Sequence, residues 1–93
     1  MSNYTLKGET SNGVVEVIMG WDEPMKWFFM VIEGDQDEPL YSNLYESSPE
    51  TLTLKHFQTV LERFSIRNIS LEPGHNSGLY EKLMKDKTQK NMS

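Results

Sequence analysis

The side chains that most often carry out chemistry in proteins are sparse in this sequence. Histidine occurs twice, at His56 and His75, and cysteine does not occur at all. Without thiolates, the two imidazoles could hold zinc only together with carboxylates from distant parts of the chain. We interpret His56 as a surface residue beside the apolar stripe of a helix. We interpret His75 as part of a loop that leads into a second helix, with Asn76 or Ser77 as the N-cap.

Residues 35–46 invite comparison with a calcium-binding loop, because Asp35 and Asp37 are followed by Glu46 at the twelfth position. The comparison fails at the fifth and sixth positions, Pro39 and Leu40. A calcium loop needs an oxygen ligand and then a glycine at these positions. We therefore expect a solvated, charged loop and no metal site.

No combination of residues typical of catalysis is visible. The sequence has no nucleophile elbow, no glycine-rich phosphate loop and no pair of histidines at helical spacing. Carboxylates are plentiful, but two of them act as an acid and base pair only inside a cleft. We predict that the protein is not an enzyme and that it needs no cofactor.

Charge is distributed unevenly along the chain. The formal net charge is −5 overall, and ten acids against Lys26 give −9 between residues 9 and 50. This acidic part opposes direct binding to nucleic acid. The absence of cysteine, of a signal sequence and of an apolar run long enough for a bilayer predicts a cytoplasmic protein that does not enter membranes. A basic or mixed-charge protein is the expected partner.

Four antiparallel strands and two helices must position these residues. The pattern predicts an α+β domain over residues 1–87, in the order β-β-β-β-α-α, and a frayed tail over 88–93. Asn12-Gly13 predicts a type I′ turn between the first two strands, which would pair Leu6 with Met19 and Glu9 with Glu16.

The later elements follow from their periodicity. Residues 27–32 are apolar on both faces, which is typical of a central strand covered on both sides, by a helix, the tail or another subunit. Pro24 suits a turn before this strand, and residues 40–45 resume an extended pattern. Apolar residues at helical spacing predict a helix over 53–65, capped by Thr53 and packed on one face of the sheet, and a shorter helix over 77–87.

Aromatic residues are concentrated between residues 21 and 45, where they alternate with acids. One interpretation is the core of the sheet, since a small sheet needs large side chains to be stable. The alternative is a contact patch, because aromatic residues rimmed by charge are common interface anchors. The predicted partner contacts are Trp21, Asp35, Asp37, Glu38, Tyr41 and Tyr45.

A turn and a set of packing residues form one further pattern: Gly-Trp-Asp-Glu-Pro-Met at 20–25, then Phe28-Phe29, then Leu54, Phe57, Leu61 and Phe64 ahead of Ser65-Ile66. With this pattern, residues 14–66 resemble a group of short bacterial proteins that are generally labelled hypothetical. The resemblance implies a bacterial protein with a compact sheet and one amphipathic helix. It implies no active residues.

These observations predict a small acidic binding or regulatory protein that docks a protein partner, or a second copy of itself, through its strand half. An alternative is an acidic protein that imitates nucleic acid and inhibits a nucleic-acid-binding protein. That function requires carboxylates at phosphate-like spacing on one surface. A small enzyme, the third hypothesis, requires a pocket with convergent polar groups.

Overall fold

A four-stranded antiparallel sheet forms the first half of the protein, in a computed structural model that describes residues 3–88. The strands lie side by side in chain order and are β1 (Tyr4–Thr10), β2 (Gly13–Asp22), β3 (Trp27–Glu33) and β4 (Tyr41–Ser42). Two short 3₁₀ helices and two α-helices follow: Asn43–Tyr45, Pro49–Thr51, α1 (Leu54–Arg63) and α2 (Leu79–Thr88). The predicted α+β class and order of strands and helices are confirmed.

Both α-helices pack on the same face of the sheet. Because side chains alternate along a strand, this face is formed by every second residue of each strand. Its strand residues include Leu6, Val15, Val17, Met19, Phe28, Met30 and Ile32, which pack with Phe57, Val60 and Leu61 of α1 and with Leu79 and Leu83 of α2. The predicted burial is confirmed for Val17 and Met19, and Leu6 and Val15 lie on the same face but are only partly buried. Within residues 3–88, no helix is long and apolar enough to cross a bilayer.

The first hairpin forms, but the prediction of a type I′ turn is wrong. Ser11 and Asn12 are the central residues, and neither has the positive φ that this turn requires. The Thr10 hydroxyl accepts the Asn12 N–H at 3.1 Å and donates to the Gly13 carbonyl at 2.9 Å, so that a threonine side chain organises the bend. Gly13 alone has positive φ there, at +131°.

The predicted register of this hairpin is therefore wrong by two residues. Leu6 pairs with Val17, and Lys7 pairs with Glu16 in place of the predicted repulsion between Glu9 and Glu16. Because side chains alternate with a period of two, a shift of two residues leaves every side chain on its predicted face. The core was thus predicted correctly from an incorrect pairing.

The fourth strand is shorter than the predicted 40–45 because side chains take over its hydrogen bonding. The Ser42 hydroxyl accepts the Leu44 N–H at 3.1 Å and starts a 3₁₀ helix. The Asn43 side-chain carbonyl accepts the Met30 N–H at 3.4 Å, where a longer strand would offer a backbone carbonyl. Serine and asparagine side chains commonly compete with a strand ladder in this way.

Helix α1 begins as predicted, since the Thr53 hydroxyl accepts the His56 N–H at 3.2 Å. It ends in a Schellman motif at Ser65, which has a φ of +60°. The Ser65 N–H donates to Glu62 at 3.0 Å and the Ile66 N–H donates to Leu61 at 2.9 Å. This reversal directs Ile66 into the core.

Helix α2 begins two residues later than predicted. The Gly78 carbonyl accepts the first helical hydrogen bond, from Lys82 at 2.9 Å, and Gly78 has a φ of +69°. Ser77 contributes only a 3.5 Å contact to the Leu79 N–H, and Asn76 does not serve as the cap. Thr88, predicted as the start of a frayed tail, is the last residue of this helix, and residues 89–93 of that predicted tail lie outside the described residues.

The outer edge of β1 is covered by the chain that follows α1. The Asn68 side chain accepts the Glu9 N–H at 2.7 Å and donates to the Lys7 carbonyl at 2.8 Å. One amide side chain thereby occupies the hydrogen-bonding groups that another strand would use. This contact protects the edge from pairing with other chains.

We predict that Gly8→Ala destabilises the fold by about 1–2 kcal/mol through overpacking. A Cβ atom at Gly8 would lie 3.1 Å from Ile66 and 3.2 Å from both Val15 and Val17. All three neighbours are β-branched and therefore resist rotation. Urea unfolding measures the loss, with the outward-facing Lys7→Ala as control. An unchanged midpoint for Gly8→Ala would show that this contact has room to relax.

Ser65→Gly is expected to stabilise the protein by about 0.5–1 kcal/mol, because glycine adopts the left-handed conformation without the steric cost that serine bears. Thermal unfolding of this variant should shift upward. Ser65→Ala is the control, since alanine retains the Cβ atom and should give no gain. Equal stabilities of the two variants would contradict strain at this position.

Candidate functional site: the open face of the sheet

The face of the sheet opposite the helices is here called the open face. It is formed by Thr5, Lys7 and Glu9 of β1, by Val14, Glu16, Ile18, Gly20 and Asp22 of β2, and by Trp27, Phe29, Val31 and Glu33 of β3. No helix within residues 3–88 covers it, since α1 and α2 both pack against the other face. Its centre nevertheless carries large apolar side chains.

The apolar part of the open face is a ladder of cross-strand pairs between β2 and β3. Ile18 faces Val31, Gly20 faces Phe29, and Asp22 faces Trp27. Ile18, Trp27, Phe29 and Val31 are half-buried, and Val14 is 60 % exposed. Apolar side chains that are partly exposed to water and grouped in one patch are typical of the centre of a protein interface.

Acidic residues close this ladder at both ends. Glu16 lies directly opposite Glu33 at one end, and Asp22 lies beside Trp27 at the other. Lys7, on the far side of Glu16, is the one basic residue of the open face. Like charges that face each other across a ladder are destabilising, so the pair of Glu16 and Glu33 is a cost that the free protein carries.

The prediction for residues 27–32 is confirmed in part. The strand is central in the sheet, and Phe28, Met30 and Ile32 are buried beneath the helices. No helix within residues 3–88 covers the other face, and cover by the tail or by another subunit stays a prediction. Trp27, Phe29 and Val31 have neighbours within the sheet but no helix above them.

The six predicted contact residues are not brought together in one place. Trp21 and Tyr41 belong to the core, with 6 % and 5 % of their surfaces exposed. The acids of the 34–39 loop, Asp35, Asp37 and Glu38, are exposed as expected. Tyr45 is 60 % exposed, and its hydroxyl donates to the Pro39 carbonyl at 3.4 Å.

Sequence reasoning missed most of the open face as a site, although the signal was present. Taken at every second position, the run from Glu16 to Asp22 has an acid at both ends, and the run from Trp27 to Glu33 has an acid at its last position. Joined by the turn at 23–26, these positions face one another. The turn itself was recognised, with Pro24 at its second position and the Lys26 N–H donating to the Glu23 carbonyl at 3.2 Å.

A separate polar cluster lies where the 3₁₀ segment meets α1. The Glu46 carboxylate accepts the Tyr41 hydroxyl at 2.7 Å and lies 2.9 Å from His56 Nε2. The hydrogen bond from His56 and, to a smaller extent, the hydrogen bond from Tyr41 hold the pKa of Glu46 below its ordinary value. Burial and, to a smaller extent, the hydrogen bond to Glu46 raise the pKa of Tyr41. His56, predicted as a surface residue, is therefore half-buried and paired.

His75 lies in an exposed loop, as predicted. Its Nδ1 accepts the Ser77 N–H at 3.1 Å and is 3.0 Å from the Ser77 hydroxyl. Within residues 3–88, no three histidine, aspartate or glutamate side chains converge closely enough to hold a metal ion. The contacts of His75 are thus local and organise its own turn.

Comparisons with models of known protein families, with curated proteins and with solved structures gave no match. The resemblance to short bacterial proteins stays a prediction.

Glu46→Gln should lower stability at neutral pH and flatten its dependence on pH in acid. A carboxyl group whose pKa is lower in the folded than in the unfolded chain stabilises the fold at pH values above its ordinary pKa of about 4.5. This contribution is lost as the pH falls through the folded pKa. The two proteins should therefore differ in free energy of unfolding at pH 7, and this difference should shrink as the pH falls below about 4.5.

Urea unfolding across this pH range tests the expectation, with the exposed Glu50→Gln as a charge-matched control. A constant difference between Glu46→Gln and the unsubstituted protein at every pH would contradict it, because the loss would then be one of packing.

Proposed function

We propose that the protein is a small acidic binding protein that docks a basic protein partner on the open face. The observation that carries the proposal is the ladder between β2 and β3, in which apolar pairs are enclosed by carboxylates at both ends. This arrangement combines the anchor and the rim of an interface. The predicted docking through the strand half is thereby assigned to particular residues.

The apolar centre supplies the affinity. Trp27, Phe29 and Val31 are ordered by their strand before binding, so that little side-chain entropy remains to be lost on contact. Covering their exposed parts removes apolar surface from water, which contributes about 25 cal/mol per Å². Aromatic residues at the centre of such a patch are the residues on which binding most often depends.

The carboxylate rim supports a basic partner. A lysine or arginine placed between Glu16 and Glu33 would replace the repulsion between these two carboxylates with two attractions. Asp22 offers a third acceptor at the opposite end of the ladder. The acidic field of residues 9–50 would also accelerate association with a cationic partner.

Self-association through the open face has less support. Two open faces in contact would each present Glu9, Glu16, Asp22 and Glu33 and would have only Lys7 to neutralise them. Burying unpaired carboxylates is costly. Sedimentation at increasing protein concentration separates the two forms of docking, and a single-copy species is expected throughout.

Imitation of nucleic acid also has less support. Apart from the acids of the open face, carboxylates are found in the 34–39 loop and on the helical side at Glu62, Glu72 and Glu81. On the open face itself, apolar residues separate the acids at the two ends of the ladder. A phosphate-like array requires closely spaced charges on one surface.

Glu33→Lys should raise stability and abolish docking. The substitution converts the repulsion from Glu16 into an attraction, worth about 0.5 kcal/mol across a ladder. It also removes one of the two carboxylates that receive the partner. The probe is a peptide of alternating lysine and leucine, titrated into isotope-labelled protein and followed by amide chemical shifts.

In the unsubstituted protein, the shift changes should lie along β2 and β3 and should weaken with added salt. Glu72→Lys, on the helical side, is the matched control with the same change of charge, and it should bind nearly as well. A peptide of alternating glutamate and leucine should not bind. Shift changes confined to the helices, or equal binding by Glu33→Lys, would contradict the proposal.

A further inference from the structure

A cavity of about 320 Å³ lies at the end of the sheet on the helical side, away from the open face. Its walls come from the adjoining ends of β2 and β3 with their turn, from the start of α1 and from one side of α2 between Tyr80 and Lys87. It is therefore independent of the proposed docking function. The side chains that matter for its chemistry are Trp21, Phe28, Lys26, Lys55 and Lys87.

Two aromatic rings form the floor of this cavity. Trp21 and Phe28 meet edge to face, with ring centroids 5.0 Å apart and an angle of 68° between the ring planes. The Lys87 ammonium lies 5.9 Å from the Trp21 centroid and 5.8 Å from the Phe28 centroid. These two cation–π contacts hold a positive charge at the wall of the cavity, beside its aromatic floor.

The charge of the cavity is opposite to that of the whole protein. Three lysines line it and no carboxylate does. The Glu23 carboxylate pairs with Lys26 and accepts the indole N–H of Trp21 at 2.7 Å, whereas Lys55 and Lys87 have no carboxylate at ion-pair distance within residues 3–88. In a chain with a net charge of −5, two ammonium groups beside an aromatic floor, neither ion-paired with a carboxylate of the described residues, form a local site for a negative charge.

We propose that this cavity binds an organic anion, in which a carboxylate, phosphate or sulfonate group is attached to an apolar body of about one ring. The volume fits this size, since a cavity of about 150 Å³ accommodates benzene and ligand pockets begin at about 300 Å³. The ring lies against Trp21, Leu52 and Met84, and the anionic group faces Lys55 and Lys87. A ring without a charge would lack the contacts with the two lysines, and an anion without a ring would lack the contacts with the apolar wall.

Three probes separate the two halves of this recognition. Phenyl phosphate carries both the ring and the charge, inorganic phosphate carries the charge alone, and benzyl alcohol carries the ring alone. Binding is followed by the fluorescence of Trp21 in a Trp27→Phe background, which leaves Trp21 as the single tryptophan. We expect phenyl phosphate to bind at least tenfold more tightly than either of the other probes.

Lys55→Gln and Lys87→Gln should each weaken the binding of phenyl phosphate about three- to tenfold, the range expected for a partly exposed charged hydrogen bond. Lys82→Gln, which removes the same charge from the other side of α2, should leave the affinity unchanged. Circular dichroism of each variant checks that it is folded.

Three results would each overturn the proposal. One is the absence of phenyl phosphate binding at millimolar concentration, and another is binding of inorganic phosphate as tightly as phenyl phosphate. The third is equal affinity in Lys55→Gln, Lys87→Gln and Lys82→Gln, because the attraction would then come from the general field of the protein and not from the cavity.

Discussion

The register between β2 and β3 is the constraint on which the rest of the structure depends. On the helical side it aligns apolar residues with one another, as in the pairs of Val17 with Ile32 and of Met19 with Met30. On the other side the same register aligns Glu16 with Glu33 and brings together the apolar centre of the open face. A slip of one residue would exchange the two sets of side chains. Core and candidate site are therefore two consequences of one pairing.

On the helical side, contacts from distant parts of the chain hold β1, the strand that pairs with β2. The Schellman motif after α1 directs Ile66 towards Gly8, and Asn68 then binds the backbone of β1. Tyr4, at the start of the same strand, donates its hydroxyl to Asp86 of α2 at 2.7 Å. Because both helices are committed to this face, the described chain has no further element to cover the opposite one. The open face is thus a result of how the helices are connected.

The alternation of side chains could be predicted from the sequence with accuracy, whereas the pairing of strands could not. Alternation is a local property, so the burial of Val17 and Met19 and the class of the fold followed directly. The first turn depended on the Thr10 hydroxyl, which competed successfully with the conformation favoured by Asn12-Gly13. In the same way, the Asn43 side chain shortened β4. Hydrogen bonds of single side chains decided both cases, and periodicity does not reveal them.

The candidate sites were harder to predict because they are made by residues that are distant in sequence. The aromatic cluster was noticed, but three of its six members lie in the core and only Trp27 and Phe29 lie on the open face, so that Trp21 and Trp27 have different roles. The cavity lined by Lys55 and Lys87 was not predicted, since these lysines lie on two helices and line one cavity only after folding. The net charge of a sequence segment does not predict the charge of a surface that is formed by residues from several segments.

Hydroxyl-radical footprinting tests the central claim most directly, because β3 carries neighbouring residues of the same type on opposite faces. At a concentration where sedimentation shows single copies, the account predicts that Phe29 is oxidised faster than Phe28 and that Trp27 is oxidised faster than Trp21. Equal protection of Phe29 and Phe28 would contradict it, since the second face of the sheet would then be covered and could not serve as a docking surface.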